Sequence, residues 1–111
     1  MKTKSKPAKI RELNDQFRKT GIGGRLMITA GIKAMGEKAV AEIIAKVRSF
    51  DQFTNDNDPY GERDFGKIEH NGEDIFFKMD YYDRNLEYAS PDPSDPKVTM
   101  RVMTIMTGME Y

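Results

Sequence analysis

The chain has no cysteine and a single histidine among its 111 residues. Without thiols there are no disulfides, no thiolate zinc sites and no cysteine nucleophile, a composition that suits a cytoplasmic protein. No apolar run approaches the roughly 18 to 20 residues that span a bilayer, and no basic, apolar, small-residue sequence marks a secretory signal. A soluble cytoplasmic chain with no membrane contact is therefore expected. At this length one domain with one core is the economical reading, too short for a catalytic domain beside a separate recognition domain.

Net charge is also missing, since 18 Lys and Arg balance 18 Asp and Glu. The balance is uneven along the chain. Residues 1–50 hold 12 Lys and Arg against 4 Asp and Glu, about +8, whereas residues 51–96 hold 4 against 13, about −9. Either folding keeps the two segments on different surfaces and makes an electrostatic dipole, or it packs them side by side and they neutralise one another.

The basic, aperiodic start, residues 1–6, reads as a flexible arm ahead of a single α+β domain over residues 7–111. Ile10, Leu13 and Phe17 recur at helical spacing and predict a helix near 7–19, stopped by the glycines of TGIGG. RLMIT has the character of a short strand. GEKAVAEIIAKVRSF is the clearest helix, with Val40, Ile43, Ile44, Val47 and Phe50 on one stripe. Asn71-Gly72 lies between two strand-like runs and predicts a two-residue hairpin in which His70 faces Glu73, Ile68 faces Ile75 and Gly66 faces Phe77. One face, with Ile68, Ile75, Phe77 and Met79, is then apolar. The other, with Phe65, Lys67, Glu69, Asp74, Phe76 and Lys78, suits water. YYDRNLEYAS suggests a further turn and strand with Leu86 and Tyr88 on one side, and PDPSDP a rigid polar loop. Residues after Pro96 fit a helix with stripe Val98, Val102, Ile105 and Met109, or a strand; their density of Val, Thr and Ile favours the strand. The expected architecture is two N-terminal helices packed on an antiparallel sheet of about four strands.

The stretch FTNDNDPYGERDFG, residues 53–66, is the most unusual. An EF-hand started at Asp56 would place Asp58 and Gly61 correctly, but Tyr60 stands at the fifth position and Lys67 at the twelfth, where oxygen ligands belong. A looser cluster of Asp56, Asp58, Glu62, Asp64, Asp80 and Asp83 has the composition of magnesium-dependent phosphoryl-transfer and nuclease sites, whereas Asp, Asn, Pro and Gly together are also the ordinary ingredients of turns. His70 beside the hairpin turn is expected to be exposed, since a catalytic base prefers a cleft to a tip. GIGG lacks the third glycine and the Lys-Ser/Thr of phosphate loops. Met100, Met103, Met106 and Met109 alternate faces in a strand and cannot converge on one ion, so core filling is their expected role. The basic first half raises direct nucleic-acid binding, but the acidic segment opposes it and no helix-turn-helix or zinc-finger pattern is present.

From IRELNDQFRKTG onward the chain resembles a bacterial family known as domain of unknown function 3768. The matching landmarks are IRELNDQFRKTGIGGR, FTNDNDPYGERDFG, KMDYYDRNLEYASPDPSDP and RVMTIM; relatives carry Leu-Ala before a closing Glu-Tyr where this chain has GMEY. The resemblance implies a small protein carried on plasmids or other mobile elements, a setting in which accessory proteins often block host restriction or CRISPR systems. It implies no activity. The expectation is a binding protein that presents Asp56, Asp58, Tyr60, Glu62, Asp64, Tyr81, Tyr82 and Asp83 to a basic, nucleic-acid-binding protein partner, with no catalytic residue, metal or cofactor assigned. The alternatives are a metal-dependent hydrolase or nuclease using the carboxylates at 56–64, and an assembly module pairing through the Met-rich strand.

Overall fold

The computed structural model describes residues 6–111, so the expected arm lies outside the described residues apart from Lys6, which already belongs to a helix. The elements in chain order are α1 (Lys6–Thr20), β1 (Arg25–Ile28), α2 (Ala30–Lys33), α3 (Glu37–Ser49), β2 (Phe65–His70), β3 (Glu73–Tyr82) and β4 (Met100–Thr107). No described helix is long and apolar enough to cross a membrane.

The strands form one sheet in the order β1-β4-β3-β2. The hairpin has the expected register, from Phe65 opposite Lys78 to His70 opposite Glu73, with Asn71 and Gly72 both at positive φ as the tight turn demands. Residues 100–107 are the strand that their β-branched content favours. The purely antiparallel sheet is corrected: β4 pairs antiparallel with β3 but parallel with β1, Arg25 opposite Val102 through Ile28 opposite Ile105. Parallel strands need a long crossover. β1 and β2 point the same way at opposite edges, and α2 and α3 carry the chain across the sheet between them. A four-residue strand carries no sequence signal for its partner, which is why this pairing was not expected. β4 has a neighbour on each side, so its backbone offers no free edge, and assembly by strand pairing through the Met-rich segment is unavailable.

One face of the sheet is covered. Ile68, Ile75, Phe77, Met79, Met103 and Ile105 meet Phe17 of α1, Ile32 of α2, and Ile43 and Val47 of α3 in one core. Gly66 has no side chain because the Phe77 ring lies across it: a Cβ there would sit 2.5 Å from that ring and 2.8 Å from Phe50. Opposite, the expected wet face is partly closed, because Tyr111 stacks on Phe76 at 4.8 Å and approaches Phe65 at 5.4 Å. Residues 83–99 form turns with only an isolated bridge between Tyr82 and Ala89, not the further strand expected there. Met103 and Met106 fill space as expected, whereas Met109 is fully exposed.

His70 is not the exposed tip residue its position suggested. The period of two turns it onto the helix-covered face, where it is 4 % exposed. Lys46 Nζ lies 3.3 Å from its Nδ1 and Glu42 Oε2 lies 3.8 Å from its Nε2, both reaching down from α3.

Candidate functional site

The acidic stretch folds against α1, and its own polar side chains shape it. Asn57 Oδ1 accepts from the Thr54 amide at 2.8 Å while Thr54 Oγ1 accepts from the Asn57 amide at 3.3 Å, and Asp58 Oδ1 accepts from the Arg63 amide at 3.0 Å. Gly61 and Arg63 both adopt positive φ, 69° and 55°, the second an uncommon state for a residue with a Cβ. These contacts use Asn57 and Asp58 as turn formers.

Below the loop lies a largely buried polar network that joins α1, β3 and β4 to the acidic loop and to the loop holding Pro93. Asn14 of α1 is fully buried; its Nδ2 donates to the Glu62 carbonyl at 3.0 Å and to the Tyr81 hydroxyl at 2.8 Å, and its Oδ1 accepts from Arg101 Nε at 2.6 Å. The Tyr81 hydroxyl donates in turn to Glu62 Oε1 at 2.9 Å, and Arg101 Nη2 donates to the Pro93 carbonyl at 2.6 Å. Alongside, Arg18 donates to Asp15 and to the carbonyls of Val47 and Phe50, Arg63 donates to Asp15 Oδ2 at 2.8 Å, and both guanidiniums lie over Phe53, at 5.2 and 5.4 Å. Arg11 reaches the Gly61 carbonyl at 3.1 Å. The segment is thus pinned by backbone and side-chain bonds from one helix face.

The electrostatics follow from burial. The Tyr81 phenol is pushed well above its usual range, chiefly by desolvation; the Asn14 hydrogen bond pulls it back down, and the negative Glu62 and Asp64 add to the rise. Burial also lowers the Arg101 guanidinium, while Tyr81 and Glu62 push it back up. Asp64 is raised, mainly by desolvation, with Glu62, Asp58 and Asp80 adding to the effect. Perturbed groups of this kind mark active sites or structural networks. Here the buried partners are hydrogen-bonded to one another, and the network serves as the root of the loop.

The eight residues singled out from the sequence do not share one surface. Glu62 and Tyr81 meet each other and turn inward, and Asp64 is half-buried at the entrance to β2. Asp58 is occupied by the Arg63 amide, and Asp83 by the amides of Asn85 and Glu87 at 3.1 and 3.0 Å. Tyr82 lies on the sheet face away from the helices. Asp56 and Tyr60 stand out in solvent, Tyr60 with 79 % of its surface exposed, and neither side chain has a partner among the described residues. Among those residues no three His, Asp or Glu side chains converge closely enough to hold a metal ion.

Asn14, Asp15, Arg18 and Arg101 were not singled out from the sequence. A signal was there for two of them: the buried residues of α1 are Ile10, Asn14, Phe17 and Arg18, so two polar residues run in phase with the apolar stripe. A polar residue on the buried face of an amphipathic helix needs a partner, and that need pointed to the network.

A family model described as Protein of unknown function (DUF3768) matches residues 28–110. The chain belongs to that family. The matched span contains the acidic loop, the hairpin and β4, and begins after α1, so the helix that roots the loop lies outside it. No curated protein and no solved structure matches the chain.

Proposed function

We propose that this chain is a binding protein that acts by occupying a surface of a protein partner, with the tip of the acidic loop, Asp56 and Tyr60, as the contact. The observation that carries this reading is an aromatic ring held in water by a loop braced from beneath. Tyrosines contribute disproportionately to interface energies, and a preorganised contact loses little conformational entropy on binding. Asp56, exposed in the same loop four residues earlier, favours a basic partner surface and steers its approach. The sharpest form of that partner is the nucleic-acid groove of a host-defence nuclease, a restriction or CRISPR effector, which accords with the mobile-element setting that the family resemblance implies. The mechanism is steric and electrostatic occlusion. No comparable observation favours the metal-dependent hydrolase, since Asp58 and Glu62 are committed to the Arg63 amide and the Tyr81 hydroxyl.

The test is affinity capture from bacterial cells carrying active defence systems, with the wild-type chain beside Asp56→Asn and Tyr60→Ala. A partner retained by the wild type at low salt, released at high salt and lost with Tyr60→Ala is the expected result. Capture indifferent to both variants would sink the reading.

A further inference from the structure

The two edges of the sheet are finished differently. On β2, Lys67 and Glu69 are exposed, and Lys46 of α3 donates to the Glu69 carbonyl at 2.9 Å, so that edge carries charge and is partly capped. Edge strands finished in this way resist pairing with other chains. β1 has Arg25 as its only charge, no proline, and Met27 with 54 % of its surface in water. Among the described residues its backbone bonds only to β4.

The ladder shows which groups are free. The Thr29 amide donates to the Ile105 carbonyl at 3.2 Å, so in the alternation of a strand residues 25, 27 and 29 turn their backbone groups toward β4, and Leu26 and Ile28 turn theirs outward. We infer that two copies of this chain pair antiparallel through their β1 edges about a two-fold axis at Met27. This register alone uses both outward residues of each strand, Leu26 of one copy exchanging bonds with Ile28 of the other.

The side chains in that register are complementary. On the helix-covered face Leu26 meets Ile28 of the second copy, apolar against apolar. On the open face Met27 meets Met27, and a groove of about 460 Å³ lined in part by Met27, Tyr82, Leu86 and Val102 continues the apolar surface inward. Arg25 falls opposite Thr29 of the second copy, whose hydroxyl donates to Glu110 Oε1 at 2.6 Å. A cation therefore faces a carboxylate, and the two-fold symmetry makes the pair twice. Arg25 never faces its own copy.

Sedimentation or light scattering over a wide concentration range tests this. The wild type is expected to pass from monomer to dimer, with Leu26 and Ile28 amides protected from exchange only in the dimer. Met27→Lys sets two ammonium groups against each other and is expected to raise the midpoint at least about tenfold, or about 1.4 kcal/mol. Arg25→Glu and Glu110→Lys each create like-charge pairs and are expected to weaken self-association, whereas their equimolar mixture restores both pairs and forms the heterodimer. Circular dichroism confirms that each variant is folded; should Glu110→Lys fail, Met27→Lys alone decides. A wild type that stays monomeric overturns the inference, including one whose β1 amides are protected within a single chain, and so does a dimer indifferent to Met27→Lys.

Discussion

Two irregular segments, the acidic loop at 53–64 and the tail at 108–111, are pinned to the same sheet by opposite means. The loop is held from inside, by Asn14 and Arg101, both buried, together with the half-buried Tyr81. The tail is held from outside: Glu110 accepts from the Thr29 and Thr107 hydroxyls and from the Gly31 and Thr107 amides, all exposed, while Tyr111 stacks on Phe76. A buried polar anchor owes most of its strength to the cost of leaving any member unpaired. An exposed carboxylate keeps water as an alternative partner, so its hold is smaller and answers to pH and salt.

The largest effect should come from Asn14→Ala. It strips Arg101 Nε of its acceptor and the Glu62 carbonyl of its donor in one step, and urea denaturation is expected to show a loss of about 3 kcal/mol. Tyr81→Phe should cost less, about 1 kcal/mol, because Asn14 keeps two partners. It should also change the alkaline limb. The folded Tyr81 phenol is raised, so its contribution is complete below the unfolded value near 10 and is lost as pH climbs above it; the Phe variant should lack that loss.

The tail should fail at the other end of the scale. Glu110 is lowered from 4.5 to about 2, first by the Thr29 hydroxyl and then by the Thr107 and Gly31 amides. Its contribution is therefore complete above about 4.5 and is lost as pH falls toward about 2. Glu110→Gln is expected to lower thermal stability at neutral pH, to converge with the wild type near pH 2, and so to flatten the acid limb. Gly31→Ala should mimic it, since a Cβ there would lie 2.6 Å from the Glu110 carboxylate. Smallest of all, Tyr60→Ala should alter stability by less than about 0.5 kcal/mol, because 79 % of the residue is in water and its side chain has no hydrogen-bond or ring partner among the described residues. A marked loss of stability there would mean that the loop tip is structural.

What could be read in advance was whatever rests on local pattern. The α3 stripe and the Asn-Gly hairpin with its register follow from spacing and turn chemistry, and the strand after Pro96 from its β-branched content. The parallel partnership of β1 and the burial of Arg101 depend on residues more than 70 positions apart, Arg25 beside Val102 and Asn14 beside Arg101, and one-dimensional periodicity has no access to them. The acidic loop was located correctly, but acidity was the wrong reason to read all of it as surface. Asp58 and Glu62 point to backbone and phenol, and this depends on the sign of φ at Gly61 and Arg63. The same holds for Glu110 and Tyr111, whose partners on Thr29, Gly31 and Phe76 lie far back in the chain.

The sheet order has a consequence for how the molecule is made. β4 is the last of the four strands to be synthesised, yet it lies between the first and the third. A nascent chain stopped before Met100 has its hairpin but nowhere for β1 to pair, and Asn14 has no Arg101 to receive. Assembly must wait for a long-range closure, which slows folding and leaves apolar strands open to wrong partners in the interval. A chaperone that recognises unpaired strands would have its longest opportunity just before residues 100–107 appear.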